Sequence, residues 1–174
     1  MSEAANYSAI EWLRDGRKVE IRALKPDDRA GLLAAIERTS AESLYRRFFA
    51  VKRYFSETEE TFFLDIDFRT HVALVAIVKE NGQPVIVGGG RYVLAQPGSA
   101  EVAFAIVDAY QGQGIGAALL RHLIVLARAA GLKTLIAEVL PENGPMLRVF
   151  EKSGLKIDTK RDGGVVHVTL RLND

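Results

Sequence analysis

The stretch Ala100–Gly116 reads AEVAFAIVDAYQGQGIG, and its reading decides the fold. The segment Glu101–Val107 is apolar and built of small and branched residues, which predicts a strand. Gln111-Gly112-Gln113-Gly114-Ile115-Gly116 then forms a glycine loop at the start of the longest helical pattern, Gly114–Ala130. In that pattern Ile115, Ala118, Leu119, His122, Leu126 and Ala129 recur on one stripe, and Gly131 is a suitable stop. A strand, a glycine loop and a helix in this order aim the loop amides and the first helical amides at one place. That place is an anion site suited to phosphates.

On the residues alone the loop has several readings. A P-loop needs Lys and Ser/Thr after its last glycine, and Ala117-Ala118 stand there instead. A dinucleotide fingerprint is met in part, since Gly112, Gly114 and Ala117 satisfy G-x-G-x-x-G/A and Glu138 ends the next strand. Against it, Asp108-Ala109-Tyr110-Gln111 separates the strand from the first glycine, and only one β-α-β unit is present. A tight turn without a ligand is the bland reading. Binding of an acyl-CoA pyrophosphate is the remaining one.

Outward from the loop, Val72–Val78, Val85–Leu94 and Glu101–Val107 read as an antiparallel meander turned by Asn81-Gly82 and Gln96-Pro97-Gly98. Downstream lie a strand at Leu135–Val139, a helix at Pro145–Lys152, and a hairpin of Leu155–Lys160 and Val165–Leu172. Gly88-Gly89-Gly90 inside a strand predicts a bulge or a close backbone approach. Upstream, Asp15-Gly16 turns a hairpin into Lys18–Leu24, and Pro26-Asp27-Asp28 opens a helix carrying Leu32, Leu33 and Ile36. Two further helices are expected, from Leu44 to about Phe49 after a cap at Ser40–Ser43, and from Ser56 through Leu64. The expected class is α/β, a mixed and mostly antiparallel sheet flanked by helices. Residues 1–11 are expected as a loose N-terminal arm and 12–174 as one domain.

The chain has 174 residues, 48% hydrophobic and 26% charged, with a net charge of +1. That balance gives no basic excess for nucleic acid. The chain has no cysteine, which excludes disulfides, thiolate metal sites and a cysteine nucleophile. Its three histidines, His71, His122 and His167, have no metal-ligand spacing. His122, on the apolar stripe, is expected as a core or interface residue. No signal peptide or membrane-length apolar run is read, so a cytoplasmic location and no membrane partner are expected.

The loop and its surroundings resemble the GNAT superfamily of acetyl-CoA-dependent N-acetyltransferases. Gln111, Gly114 and Gly116 match its Q/R-x-x-G-x-G/A signature. Glu142-Asn143-Gly144-Pro145-Met146 and Phe150-Glu151-Lys152-Ser153-Gly154-Leu155 are similar to its later loop and helix. Within the family, Arg14–Arg17, Ile21–Asp28 and Ser40–Phe49 resemble the opening of bacterial protein-lysine acetyltransferases that modify enzymes such as acyl-CoA synthetases. The resemblance runs from about Trp12 to Leu172, and the chain is expected to hold one such domain and no other.

The resemblance implies acetyl-CoA as cosubstrate, with no metal. Ile106 and Val107 are then expected at the pantetheine arm, and a backbone N–H near them at the carbonyl oxygen that gains charge. Gln111, Gln113, Gly114, Ile115, Gly116 and Ala117 are expected around the pyrophosphate, and Asn143 at the cofactor or a buried backbone group. Glu101 is the candidate general base: alternation puts it on a face with Ala103 and Ala105, and a protonated lysine, with an ordinary pKa of about 10.4, must lose a proton before it attacks. The family's later helix often carries a tyrosine acid, and the corresponding residue here is Phe150.

The function so implied is direct acetyl transfer to the ε-amine of a protein lysine, for which an acyl-CoA synthetase is a candidate partner. Its rivals are transfer to a small-molecule amine and a non-catalytic acyl-CoA-binding regulatory domain. The acidic stretch Glu57, Glu59, Glu60, Asp65 and Asp67, and the basic cluster Arg46, Arg47, Lys52 and Arg53, are surface features that either contact a partner or are simply solvated.

Overall fold

The computed structural model describes residues 3–38 and 66–173. The helices expected between Ser40 and Leu64, the basic cluster, and all of the acidic stretch except Asp67 lie outside the described residues. Among the described residues, eight strands form one sheet in the order β1-β2-β3-β4-β5-β6-β8-β7. They are β1 Ser8–Trp12, β2 Lys18–Ala23, β3 His71–Glu80, β4 Gln83–Gln96, β5 Ser99–Ile106, β6 Thr134–Val139, β7 Lys156–Asp162 and β8 Val165–Arg171. Every neighbouring pair is antiparallel except β5–β6. Helix α1 (Arg29–Glu37) packs on β4 on one face, while α2 (Ile115–Ala129) lies across β3, β4 and β5 on the other, with α3 (Gly144–Glu151) beside it.

Local sequence explains most of these elements. Asn81 and Gly82 both have positive φ (52° and 79°), the backbone of the two-residue turn expected between β3 and β4. Of the predicted stripe, helix α2 buries Ile115, Ala118, Leu119 and Leu126, while Ala129 is exposed and Leu123 and Ala127 are buried in the later turns instead. His122 is half-buried, and its ring Nε2 bonds the Glu11 carboxylate at 2.6 Å while Nδ1 meets the Tyr7 hydroxyl.

That contact corrects the expected loose arm. Residues 8–12 are an edge strand paired with β2 from Ser8↔Arg22 to Trp12↔Lys18. Ile10 and Trp12 share a face that remains exposed (53% and 66%), so the strand has no buried apolar face, and tertiary pairing holds it instead.

A fork of charge joins β2 to the turn before α1. Both Arg22 terminal nitrogens donate to the Asp28 carboxylate at 2.8 Å, and the Lys25 N–H donates to it at 2.7 Å. Burial pushes the Asp28 carboxyl up, but these donors outweigh burial and hold it below the usual carboxylate range. Its folded form therefore binds a proton more weakly than its unfolded form. The stabilisation is present above the ordinary value of about 4 and is lost as pH falls through the folded value. Arg22→Ala is expected to cost about 2 kcal/mol at neutral pH and to flatten this acid dependence, as read by denaturant melts at several pH values.

The glycine run in β4 shows both expected features. The register with β3 slips at Ala76/Ile77, leaving Val87 as a bulge. A Cβ placed on Gly90 would lie 2.7 Å from Phe104 Cδ1, so only glycine lets the Phe104 ring cross β4. Gly90→Ala is expected to cost about 1–3 kcal/mol in thermal or chemical melts, because the ring must leave its place against Phe150.

Candidate functional site

The site is opened by a parting of strands. β5 and β6 pair only at Ser99↔Thr134, Ala100↔Leu135 and Glu101↔Ile136. Beyond that, β6 stays with β8 as far as Val139, and β5 runs on beside β4 to Ile106. The Val107 N–H donates to the Val87 carbonyl at 2.9 Å. Paired and unpaired positions alternate along an antiparallel ladder, so the backbone groups of Phe104 and Ile106 turn away from β4 towards the gap. The gap widens into a cavity of ≈ 430 Å³ lined by Val102–Ile106, Ala137–Val139, the glycine loop, the first turn of α2, and Asn143, Met146, Val149 and Phe150 from the α3 region.

The loop is braced from below. A turn at Asp108–Tyr110 follows β5, and the Gln111 side-chain amide donates to the Ile106 carbonyl at 3.1 Å. Tyr110 is buried, and its hydroxyl donates to Glu80 at 2.5 Å while the Arg17 guanidinium lies 4.9 Å over its ring. The Tyr110 hydroxyl and then Arg38 hold the Glu80 carboxyl below its ordinary range. At the mouth of α2, Gly114 adopts φ 94° and ψ 8°, a left-handed backbone that favours glycine. The N-cap residue Gly114 has no side chain to cap this helix, so among the described residues its first amides have no intrahelical or capping acceptor. A Cβ added at Gly112 or Gly114 would meet nothing within 4 Å, so open space lies before these amides.

Of the residues expected at the cofactor, Ile106, Gln111, Gly114, Ile115, Gly116, Ala117 and Asn143 line this cavity. Asn143 Oδ1 also accepts the Met146 N–H at 3.3 Å and so caps α3. Val107 is buried and outside the lining. Its N–H is already engaged by Val87, so of the two expected residues it is Ile106 whose N–H turns to the cleft-facing side of β5. Gln113 is half-buried outside the lining, with its Oε1 buried and without a partner. Glu101 is exposed and also outside the lining. It stands on the last paired position of β5–β6, on the face with Ala103 and Ala105 and opposite α2.

Some contributors were not anticipated from sequence. Arg14, on the β1–β2 turn, lines the cavity, as do Phe104, Met146, Val149 and Arg148. Phe150 is buried, with its ring edge-on to Phe104 at 6.2 Å between centroids, and it offers no proton. Asp67, from the acidic stretch, is consumed locally, accepting the N–H groups of Arg69, Thr70 and His71 and the Thr70 hydroxyl. Burial pushes the Asp67 carboxyl up, but these donors outweigh it and hold it well below the usual range. Among the described residues, no group of three His, Asp or Glu is placed to hold a metal, and no helix is long and apolar enough to cross a membrane.

Comparison with known proteins gives this geometry its context. The acetyltransferase (GNAT) family matches residues 38–155. An acetyltransferase of Pseudomonas aeruginosa is 38% identical over 71% of this chain and 67% of its own length. The acetyltransferase Pat of Mycolicibacterium smegmatis is 32% identical over 88% of this chain, which spans only 46% of that protein. The GNAT domain of S. lividans PAT superposes with a TM-score of 0.84 at 34% identity, over 94% of this chain and 96% of that one. A Salmonella typhimurium protein solved with acetyl-CoA shares the fold at 19% identity, with a TM-score of 0.72 over 90% of this chain and 95% of that one. The parted strands, the uncapped glycine loop and these relatives agree: the chain belongs to the GNAT family of acetyltransferases, with Pat-type proteins among its relatives, and its cosubstrate is acetyl-CoA.

Proposed function

We propose that this enzyme transfers the acetyl group directly from acetyl-CoA to the ε-amine of a lysine on a protein, with Glu101 as general base. The observation that carries the proposal is the position of Glu101. Its exposed carboxylate stands where β5 and β6 part, on the face opposite the cofactor helix. Cosubstrate and acceptor can therefore approach the cleft from opposite faces of one sheet. An exposed base suits an amine carried on the surface of a macromolecule, and the opening segment's resemblance to protein-lysine acetyltransferases favours the same acceptor.

The residues present fit coenzyme A. The uncapped amides of Ile115, Gly116 and Ala117, with open space before Gly112 and Gly114, suit a pyrophosphate. The cleft-facing edge of β5 at Phe104 and Ile106 suits the amides of the pantetheine arm. When bound, acetyl-CoA supplies an activated thioester carbonyl. Glu101 removes the proton from the lysine ammonium, directly or through one water. The Ile106 N–H is the nearest cleft-side donor for the negative charge that develops on the carbonyl oxygen. Phe150 cannot protonate the departing sulfur, and a thiol of ordinary pKa about 8.5 leaves without that help. With no cysteine in the chain an acetyl-cysteine intermediate cannot form, which favours transfer in one complex of enzyme, acetyl-CoA and acceptor.

The test is an acetyl-CoA assay against candidate acyl-CoA synthetases, with the modified lysine mapped by mass spectrometry. Acetylation of one or a few surface lysines supports the proposal. Acetylation confined to free small amines transfers the assignment to a small-molecule substrate. Acetyl-CoA binding with no turnover on any amine overturns the catalytic reading, and an isolable acetyl-enzyme overturns direct transfer.

A further inference from the structure

We propose that Arg14, carried on the β1–β2 hairpin about a hundred residues before the glycine loop, is a phosphate-recognition residue. It would let the site select coenzyme A over phosphate-free pantetheine thioesters. The assignment rests on the cavity being the acetyl-CoA site.

The hairpin turn is docked directly on the glycine loop, because the Arg14 N–H donates to the Gln113 carbonyl at 3.3 Å. The two arginines of that turn have different fates. Arg17 is committed: its guanidinium pairs with Asp15 at 2.7 Å and stacks on Tyr110. Arg14 instead lines the cavity and is exposed, and among the described residues no carboxylate pairs with it. Its backbone is fixed one residue away from Gly114, where the uncapped first turn of α2 begins. The loop glycines and Arg14 thus border the same opening, and among the described residues the guanidinium has no carboxylate to hold it elsewhere.

Their chemistries are complementary. The amides and helix start receive one phosphate, and a planar guanidinium offers a neighbouring phosphate two parallel donors. Among the described residues the only carboxylate lining the cavity is Glu138, so little there competes for that guanidinium. Arg148, across the cavity, is folded back over its own helix, with Nη1 3.2 Å from where a Cβ on Gly144 would stand. Arg14 is therefore the arginine best placed to meet the pyrophosphate from outside the loop.

The experiment is calorimetric titration of the full chain and its Arg14→Ala and Arg14→Lys variants with CoA and with pantetheine, alongside KM for acetyl-CoA. The expected result for Arg14→Ala is CoA binding weaker by roughly ten- to a hundredfold, with KM rising in step. Pantetheine binding should be unchanged, and the lysine variant should recover part of the loss. CoA affinity within twofold of the unaltered chain would overturn the assignment alone. Equal losses for CoA and pantetheine would also overturn it, since they would mark a structural role. Failure of the unaltered chain to bind CoA at all would overturn both this assignment and the reading beneath it.

Discussion

Glu101→Gln is expected to lower turnover by roughly 10²- to 10⁴-fold at neutral pH while leaving acetyl-CoA binding intact. The amide keeps the size and polarity of the carboxylate but cannot accept the lysine proton. Glu101 is exposed and outside the cavity lining, so the substitution removes no packing and no cofactor contact. The pH dependence separates this role from a merely electrostatic one. A lysine amine with an ordinary pKa of about 10.4 needs less help as the medium becomes alkaline. The deficit of the variant should therefore shrink towards pH 10. A deficit that stays constant across that range, or no deficit at all, would refute the base assignment. Steady-state rates with a defined protein acceptor, measured from pH 6.5 to 10, supply the data.

Gly114→Val is expected to abolish measurable acetyl-CoA binding, a loss of a hundredfold or more, by two routes that add. The backbone at φ 94° is costly for a β-branched residue, by about 1–3 kcal/mol. Its side chain would also project into the open space before the α2 amides. Gly114→Ala separates the routes, because it keeps most of the backbone strain and adds only a methyl group. Calorimetry with acetyl-CoA and thermal melts of both variants measure the two contributions. A valine variant that binds acetyl-CoA normally would show that the phosphates lie elsewhere.

These two positions were legible in the sequence for different physical reasons. Gly114 is demanded by a local backbone conformation, and local demands leave local traces. The face of Glu101 follows from strand alternation counted along one continuous stretch, whereas its role as base is what the family resemblance implies. The succession of elements along the chain and the long helix were legible on the same grounds, since periodicity and turn residues mark where each element runs. Ser8–Trp12 was not, because its stability comes from pairing with β2 and from the His122–Glu11 contact rather than from an apolar face. Nor was the state of the Val107 amide. The phase of the β4–β5 ladder is set by how two strands meet, and the carbonyl that consumes the Val107 N–H belongs to β4. Arg14 carries no local mark of its neighbours, because its proximity to Gln113 arises only when the sheet closes.

The short seam between β5 and β6 has a mechanical consequence. Three residue pairs join β6, and through it β8 and β7, to the rest of the sheet, whereas β3 and β4 are zipped along nearly their whole length. The sheet is thus two plates sharing a short hinge, with a wedge-shaped opening on one side of it. A ligand whose own amides bond to β5 while its body rests on β6 fills the wedge as a missing strand would. Acetyl-CoA would then act as a splint between the plates as well as a reagent. The protein would be stiffest while loaded and would loosen on release of the product, with the energy of splinting drawn from binding rather than from the chemical step.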